Sequence, residues 1–117
     1  MTNNFPISLR FADTFEKELY RLSKKYRYIR RDIEPIIEQL QQRILLGDRL
    51  VGFGSELYVY KVRARNSNIK KGKSSGYRLI YLVESQASIL LLTIYSKSEQ
   101  VDIEVEEIQA ILEDFYG

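Results

Sequence analysis

Lys61, Arg63 and Arg65 recur at two-residue spacing in Leu57-Tyr58-Val59-Tyr60-Lys61-Val62-Arg63-Ala64-Arg65. In a strand, that spacing puts the three cations on one face and Tyr58, Tyr60, Val62 and Ala64 on the other. A row of cations is costly to bury without partners, and ammonium and guanidinium groups pair well with phosphate. Arg78, in Gly76-Tyr77-Arg78-Leu79-Ile80-Tyr81, can converge on Lys61 and Arg63 if the two runs pair. Its face and depth depend on a register that sequence does not fix. Two readings fit the cluster: a phosphate site, or a solvated basic strand with ion pairs to an acidic last helix.

The formal charge is only +2, so basicity here is a matter of distribution. Between Tyr58 and Arg78 stand Lys61, Arg63, Arg65, Lys70, Lys71, Lys73 and Arg78 with no acid among them. From Glu99 to Asp114 the signs reverse, with Glu99, Asp102, Glu104, Glu106, Glu107, Glu113 and Asp114 and no cation. Such asymmetry predicts an electropositive face that attracts a polyanion. Lys70-Lys71-Gly72-Lys73-Ser74-Ser75-Gly76 lacks the GxxxxGK[ST] pattern and precedes a strand, which excludes a nucleotide-hydrolysing phosphate loop. Lys70, Lys71 and Lys73 remain able to follow a nucleic-acid backbone, as an ordinary solvated loop also would. A second basic cluster, Lys24, Lys25, Arg27, Arg30 and Arg31, surrounds Tyr26 and Tyr28. Tyr26 continues an apolar stripe and is read as core rather than as a base-stacking ring. The carboxylates Glu104, Glu106 and Glu107 are explained by the dipole of a helix that begins there.

The chain has 117 residues, no histidine and no cysteine. Without histidine, proton transfer falls to Lys, Tyr, Asp, Glu, Ser, Thr or Arg, and the commonest neutral metal ligand is missing. Without cysteine there is no disulfide framework or thiolate metal site, which suits a reducing compartment. No apolar run reaches bilayer length and Met1-Thr2-Asn3-Asn4-Phe5-Pro6 lacks a secretory start, so a cytoplasmic protein without a membrane partner is expected. The length fits one domain, 1–117, with 44% hydrophobic residues to fill its core.

Elements that would position the cations follow from periodicity. Ile7, Leu9 and Phe11 alternate with polar residues as a first strand. Asp13 with Glu16 reads as a capping box, and Phe15, Leu19, Leu22 and Tyr26 predict a helix over 14–26. Asp32 reads as the next N-cap, with Pro35 in the first turn, an apolar stripe Ile33, Ile36, Ile37, Leu40 and Ile44, and Gly47 as the stop. The short connection over 24–31 makes the two helices a hairpin. Three strands follow at 57–65, 77–84 and 88–96, the last apolar on both faces and therefore the most buried. Asp102 reads as the N-cap of a last helix carrying Val105, Ile108, Ile111, Leu112 and Phe115. The expected fold class is α+β in the order β-α-α-β-β-β-α, a helical hairpin packed on a small, mainly antiparallel twisted sheet with a C-terminal helix.

That order, together with Phe15-Glu16-Lys17-Glu18-Leu19, Leu22-Ser23-Lys24-Lys25-Tyr26, Tyr60-Lys61-Val62-Arg63, Ser74-Ser75-Gly76-Tyr77-Arg78-Leu79-Ile80-Tyr81 and Ile94-Tyr95-Ser96-Lys97-Ser98-Glu99, resembles the RelE/ParE superfamily of bacterial toxins. The resemblance covers nearly the whole chain. It implies a toxin held inactive by a cognate antitoxin, with higher-order complexes of the two. RelE- and HigB-like members cut messenger RNA on the ribosome, whereas ParE-like members inhibit DNA gyrase, so fold alone does not decide the target. An inactive RNA-binding relative is the third alternative. The RNA-cleaving branch implies attack of a ribose 2′-hydroxyl on the adjacent phosphate, with no cofactor or metal. In that branch Lys61 takes the place of a base, its amine made less basic by crowding with Arg63 and Arg78. Arg63 stabilises phosphate charge and Arg78 binds the phosphate and assists the leaving oxygen. Lys97 stands in for the family's arginine after the last strand, and Tyr95 for its tyrosine near the last helix. Arg65, Lys70, Lys71, Lys73, Lys24 and Lys25 supply RNA-binding charge. The long lysine-rich loop over 66–75 looks HigB-like and would bring Lys73 towards the site.

Overall fold

Ile89-Leu90-Leu91-Leu92 leaves no polar face, so the segment that carries it has to be covered on both sides. In the computed structural model, which describes residues 7–69 and 76–117, it is an inner strand of a five-stranded sheet. The elements in chain order are β1 (Ser8–Phe11), α1 (Asp13–Lys25), α2 (Ile29–Gln41), β2 (Asp48–Arg49), β3 (Tyr58–Ala64), β4 (Tyr77–Ser85), β5 (Ser88–Ser96) and α3 (Val105–Tyr116). The sheet runs β1-β5-β4-β3-β2, with β1 parallel to β5 and every other pair antiparallel. This is an α+β architecture of the expected order with one addition, the two-residue β2 on the outer edge of β3. A strand so short carries no period for the eye to find.

Alternation along the strands divides the core into two layers. Val62, Ala64, Tyr77, Leu79, Tyr81, Ile89, Leu91 and Ile94 pack with Phe15, Leu22 and Tyr26 of the first helix region and with Ile29, Ile33, Ile36 and Leu40 of α2. On the opposite face Val59, Ile80, Leu82, Leu90, Leu92 and Tyr95 pack with Ile108 and Leu112 of α3. Burial of each large side chain contributes about 1.5–3 kcal/mol, so the helices are held to the sheet by stripes rather than by their own propensity. Tyr60 stacks on Tyr81 at 5.2 Å between ring centroids, and the Tyr81 hydroxyl donates to the Leu46 carbonyl at 2.6 Å.

Three aspartates read as helix caps do not cap. α1 starts at Asp13 with Ala12 as its extended N-cap residue, and no side chain caps it. α2 starts at Ile29, one turn ahead of Asp32, because Ile29 lengthens the buried stripe. Pro35 consequently lies inside the helix, where it removes one backbone hydrogen bond. The Asp32 carboxylate instead accepts from Ser67 N–H at 2.8 Å and Ser67 Oγ at 3.0 Å, tying the segment after β3 to α2. α3 begins at Val105 behind Glu104, with no side-chain cap, which leaves Asp102 free for other partners.

α2 ends before Ile44, which is exposed rather than part of the stripe. The turn is closed by Arg43 in the left-handed region at φ 59, with Arg43 N–H donating to Leu40 O and Ile44 N–H to Gln39 O. Gly47 does not stop the helix. It sits beside β3 at φ 88, where a Cβ would stand 2.2 Å from the Lys61 carbonyl oxygen. Glycine there lets the β2 edge approach the strand that carries the cations.

β4 and β5 are not in simple register. Ile80 faces Thr93, yet the next residue, Tyr81, faces Leu91, so Leu92 is an extra residue in β5. Leu90 and Leu92 point to the α3 layer, and so does Tyr95, while Leu91 and Ile94 point to the other. The inserted residue switches the parity of the strand, and with it the side on which Tyr95 emerges.

Candidate functional site

Register places Arg63 opposite Arg78, and Arg78 opposite Tyr95. These three form a cross-strand row on the α3 side of the sheet, beyond the apolar part that α3 covers. Lys61, two residues before Arg63, shares that face, while Val62 and Ala64 belong to the other core layer. The expected division of β3 into a cationic and an apolar face therefore holds for Lys61 and Arg63. Arg65 lies past the end of β3, is exposed, and does not reach the cleft described next.

Lys61, Arg63, Arg78 and Lys97 line one cleft of about 770 Å³, closed on its other side by Ile36, Gln39, Leu46, Gly47 and Asp48. Lys97 arrives from the turn after β5, where its backbone N–H donates to Gly76 O at 2.9 Å. The volume is several times what a phosphate fills, so it has room for parts of a nucleotide around the anion.

Arg78 is the unusual member of the set. Only 4% of it is exposed, and its Nη1 donates to the Tyr77 carbonyl at 3.2 Å. Among the described residues no carboxylate comes within ion-pair distance of Arg78, Arg63 or Lys97. Burial holds the Arg78 guanidinium below its ordinary pKa, and the facing charge of Arg63 adds to the effect. Two like charges on facing strand positions without an anion repel each other. A bound anion would relieve the repulsion.

Asp102, beside the cleft, is the carboxylate that pairs with Lys61. Its Oδ1 accepts from Lys61 Nζ at 3.3 Å, from Tyr95 OH at 3.3 Å and from Ile103 N–H at 2.8 Å. The Ile103 N–H and the Lys61 ammonium hold the Asp102 carboxyl below the usual range. Burial, followed by the charge of Asp102, pushes the Tyr95 phenol up to about 12, so Tyr95 is a neutral donor at physiological pH. This corrects the expected surroundings of Lys61: its first ionic neighbour is a carboxylate, not another cation. The ion-pair reading is thus right for Lys61 alone, and its partner lies ahead of the last helix rather than on it.

The remaining basic residues are elsewhere. Lys25 pairs with Glu99 at 3.5 Å, as does Arg21 at 3.0 Å, and Lys24 sits over the Tyr20 ring at 4.6 Å. Neither Lys24 nor Lys25 lines the cleft. Tyr26 is core, 5% exposed, with its hydroxyl 3.2 Å from Ser98 Oγ. Lys70, Lys71 and Lys73 lie outside the described residues. Asp102, Asp48 and Gln39 are additions that sequence reasoning missed. Asp102 was hidden in an acidic run that also suits a helix start, and nothing in the spacing of Gln39 or Asp48 separates them from surface positions. A scan against protein-family models finds no match for the chain, and a search of curated proteins finds none.

Proposed function

We propose that the chain is a RelE-like toxin of the RelE/HigB branch, an endoribonuclease that cuts messenger RNA on the ribosome. The observation that carries this reading is the buried, carboxylate-free Arg78 facing Arg63 at the edge of a cleft that Lys61 and Lys97 also line. The α+β order and the cationic row suit the same fold family, and a cytoplasmic site of action follows from the ribosome as partner. Arg78 and Arg63 hold the non-bridging oxygens of the scissile phosphate, where charge grows as the 2′-oxygen attacks. The O2′–P bond forms and the P–O5′ bond breaks, leaving a cyclic phosphate and a 5′-hydroxyl. Lys61 can take the 2′-hydroxyl proton only as a free amine, so its pair with Asp102 has to open first. Lys97, which lines the cleft, would donate towards the leaving oxygen, with Tyr95, a neutral phenol beside Arg78 in the cross-strand row, as the second candidate. A cognate antitoxin rich in acidic and apolar residues would close the same cleft.

The test is a reconstituted translation system in which messenger 5′ ends are mapped for wild type, Lys61→Ala and Arg78→Ala. New ends within codons are expected for wild type, reduced roughly 10²-fold or more by either substitution. Supercoiling by purified gyrase should be untouched. Blocked supercoiling without ribosomes, and no cleavage, would replace this reading with the ParE-like one.

A further inference from the structure

Asp102 does something beside the cleft that no phosphate-binding set requires. A single carboxylate oxygen, Oδ1, engages both the ammonium of Lys61, which lines the cleft, and the hydroxyl of Tyr95, which stands opposite Arg78 in the sheet. It belongs to the segment between β5 and α3 and makes no contribution to a helix cap. The Asp102 side chain is 62% exposed against 30% for Lys61, so the pair is open to solvent and can exchange partners without unfolding anything. An exposed pair of this kind is weak and readily exchanged. A phosphate between Arg63 and Arg78 offers Lys61 a stronger counter-ion, with more charge and more acceptor oxygens.

Resting on the phosphate-site reading, we infer that Asp102 is a resident counter-anion, a positioning residue that parks Lys61 and Tyr95 in the free protein and yields them to the substrate phosphate. Its carboxylate neutralises Lys61, while Arg63 and Arg78 have no carboxylate partner among the described residues. An incoming anion is therefore drawn to Arg63 and Arg78 first, and Lys61 follows when it leaves Asp102. The arrangement discriminates in favour of ligands that reach Arg78.

The probe is a trinucleotide RNA with a 2′-deoxy sugar at the scissile position, which binds but cannot cyclise. Its affinity is measured by calorimetry for wild type, Asp102→Asn, Lys61→Gln, the double variant and Arg63→Gln. Asparagine keeps an acceptor for Ile103 N–H and removes only the charge, so folding is preserved, and circular dichroism checks it. The expected result is roughly 2- to 5-fold tighter binding by Asp102→Asn, the range for loss of one exposed competing charge. That gain should vanish in the Lys61→Gln background, as a coupled pair requires. A merely structural role would weaken binding. Unchanged or weaker binding by Asp102→Asn, while Arg63→Gln still loses affinity, overturns the counter-anion role alone. Equal affinity of wild type and Arg63→Gln overturns the phosphate site and the counter-anion with it.

Discussion

Among the described residues, the cations at the end of α1 and those in the cleft differ in what surrounds them rather than in number. At the end of α1, Arg21 and Lys25 meet Glu99 and Lys24 lies over an aromatic ring, all in contact with solvent. In the cleft, Arg63, Arg78 and Lys97 form no ion pair among the described residues, and Arg78 is almost wholly enclosed. The first cluster is already neutralised at small energetic consequence. The second keeps an electrostatic demand that the protein itself does not meet, and that is what separates a binding site from a charged surface.

The sharpest way to break the comparison is to remove one cation from each. Arg78→Met should abolish RNA cleavage, by roughly 10²- to 10³-fold, without lowering the midpoint of denaturant unfolding, because a buried charge gives way to an apolar chain of similar reach. Lys25→Met should change cleavage by less than about twofold. Equal losses in the two variants would erase the distinction between the clusters.

A tyrosine in each region gives a smaller, pH-dependent contrast. Around Tyr26, burial raises the phenol, but hydrogen bonds with Ser98 and Ser96 and the presence of Lys25 bring it below its ordinary value. Tyr95 is pushed up to about 12 by burial and by Asp102, and Tyr77, Tyr81 and Tyr116 are raised as well. A folded pKa above the unfolded ~10 means the native state holds its proton longer. The corresponding stability is complete below pH ~10 and is lost as pH climbs towards 12, with about 2–3 kcal/mol from Tyr95. Urea midpoints should stay level to pH ~9 and fall steeply above 10, and Tyr95→Phe should flatten part of that fall. A midpoint independent of pH up to 12 would contradict the assigned surroundings of Tyr95.

The smallest effect belongs to Glu99. Glu99→Gln should cost under about 1 kcal/mol in urea unfolding and leave affinity for the trinucleotide unchanged. A loss of several kcal/mol would show that the α1 cluster is a structural clamp.

Strand and helix stripes were legible because each repeats a period over many residues: Tyr58–Ala64 and the Phe15, Leu22 and Tyr26 positions fall where alternation and helical spacing put them. Caps were not legible, since an aspartate before an apolar run is a cap only if nothing else takes its oxygens. Ser67 takes those of Asp32, and Lys61, Tyr95 and Ile103 take one from Asp102. Within the site, Lys61 and Arg63 share a face by spacing alone. That Arg78 lies opposite Arg63, and is buried, depends on a pairing register written in no local pattern.

The extra residue in β5 has a consequence for any attempt to redesign this cleft. Straightening the bulge while keeping Leu92 would leave every functional side chain in the sequence, yet the parity of all that follows in the strand would reverse. The Tyr95 phenol would then enter the layer that Ile94 now fills, and Asp102 would lose one of its three donors. Membership of the cross-strand row is encoded in the bulge of β5 as much as in the identity of its residues. Grafting Lys61, Arg63, Arg78 and Tyr95 onto a sheet without that bulge would transfer the side chains but not their address.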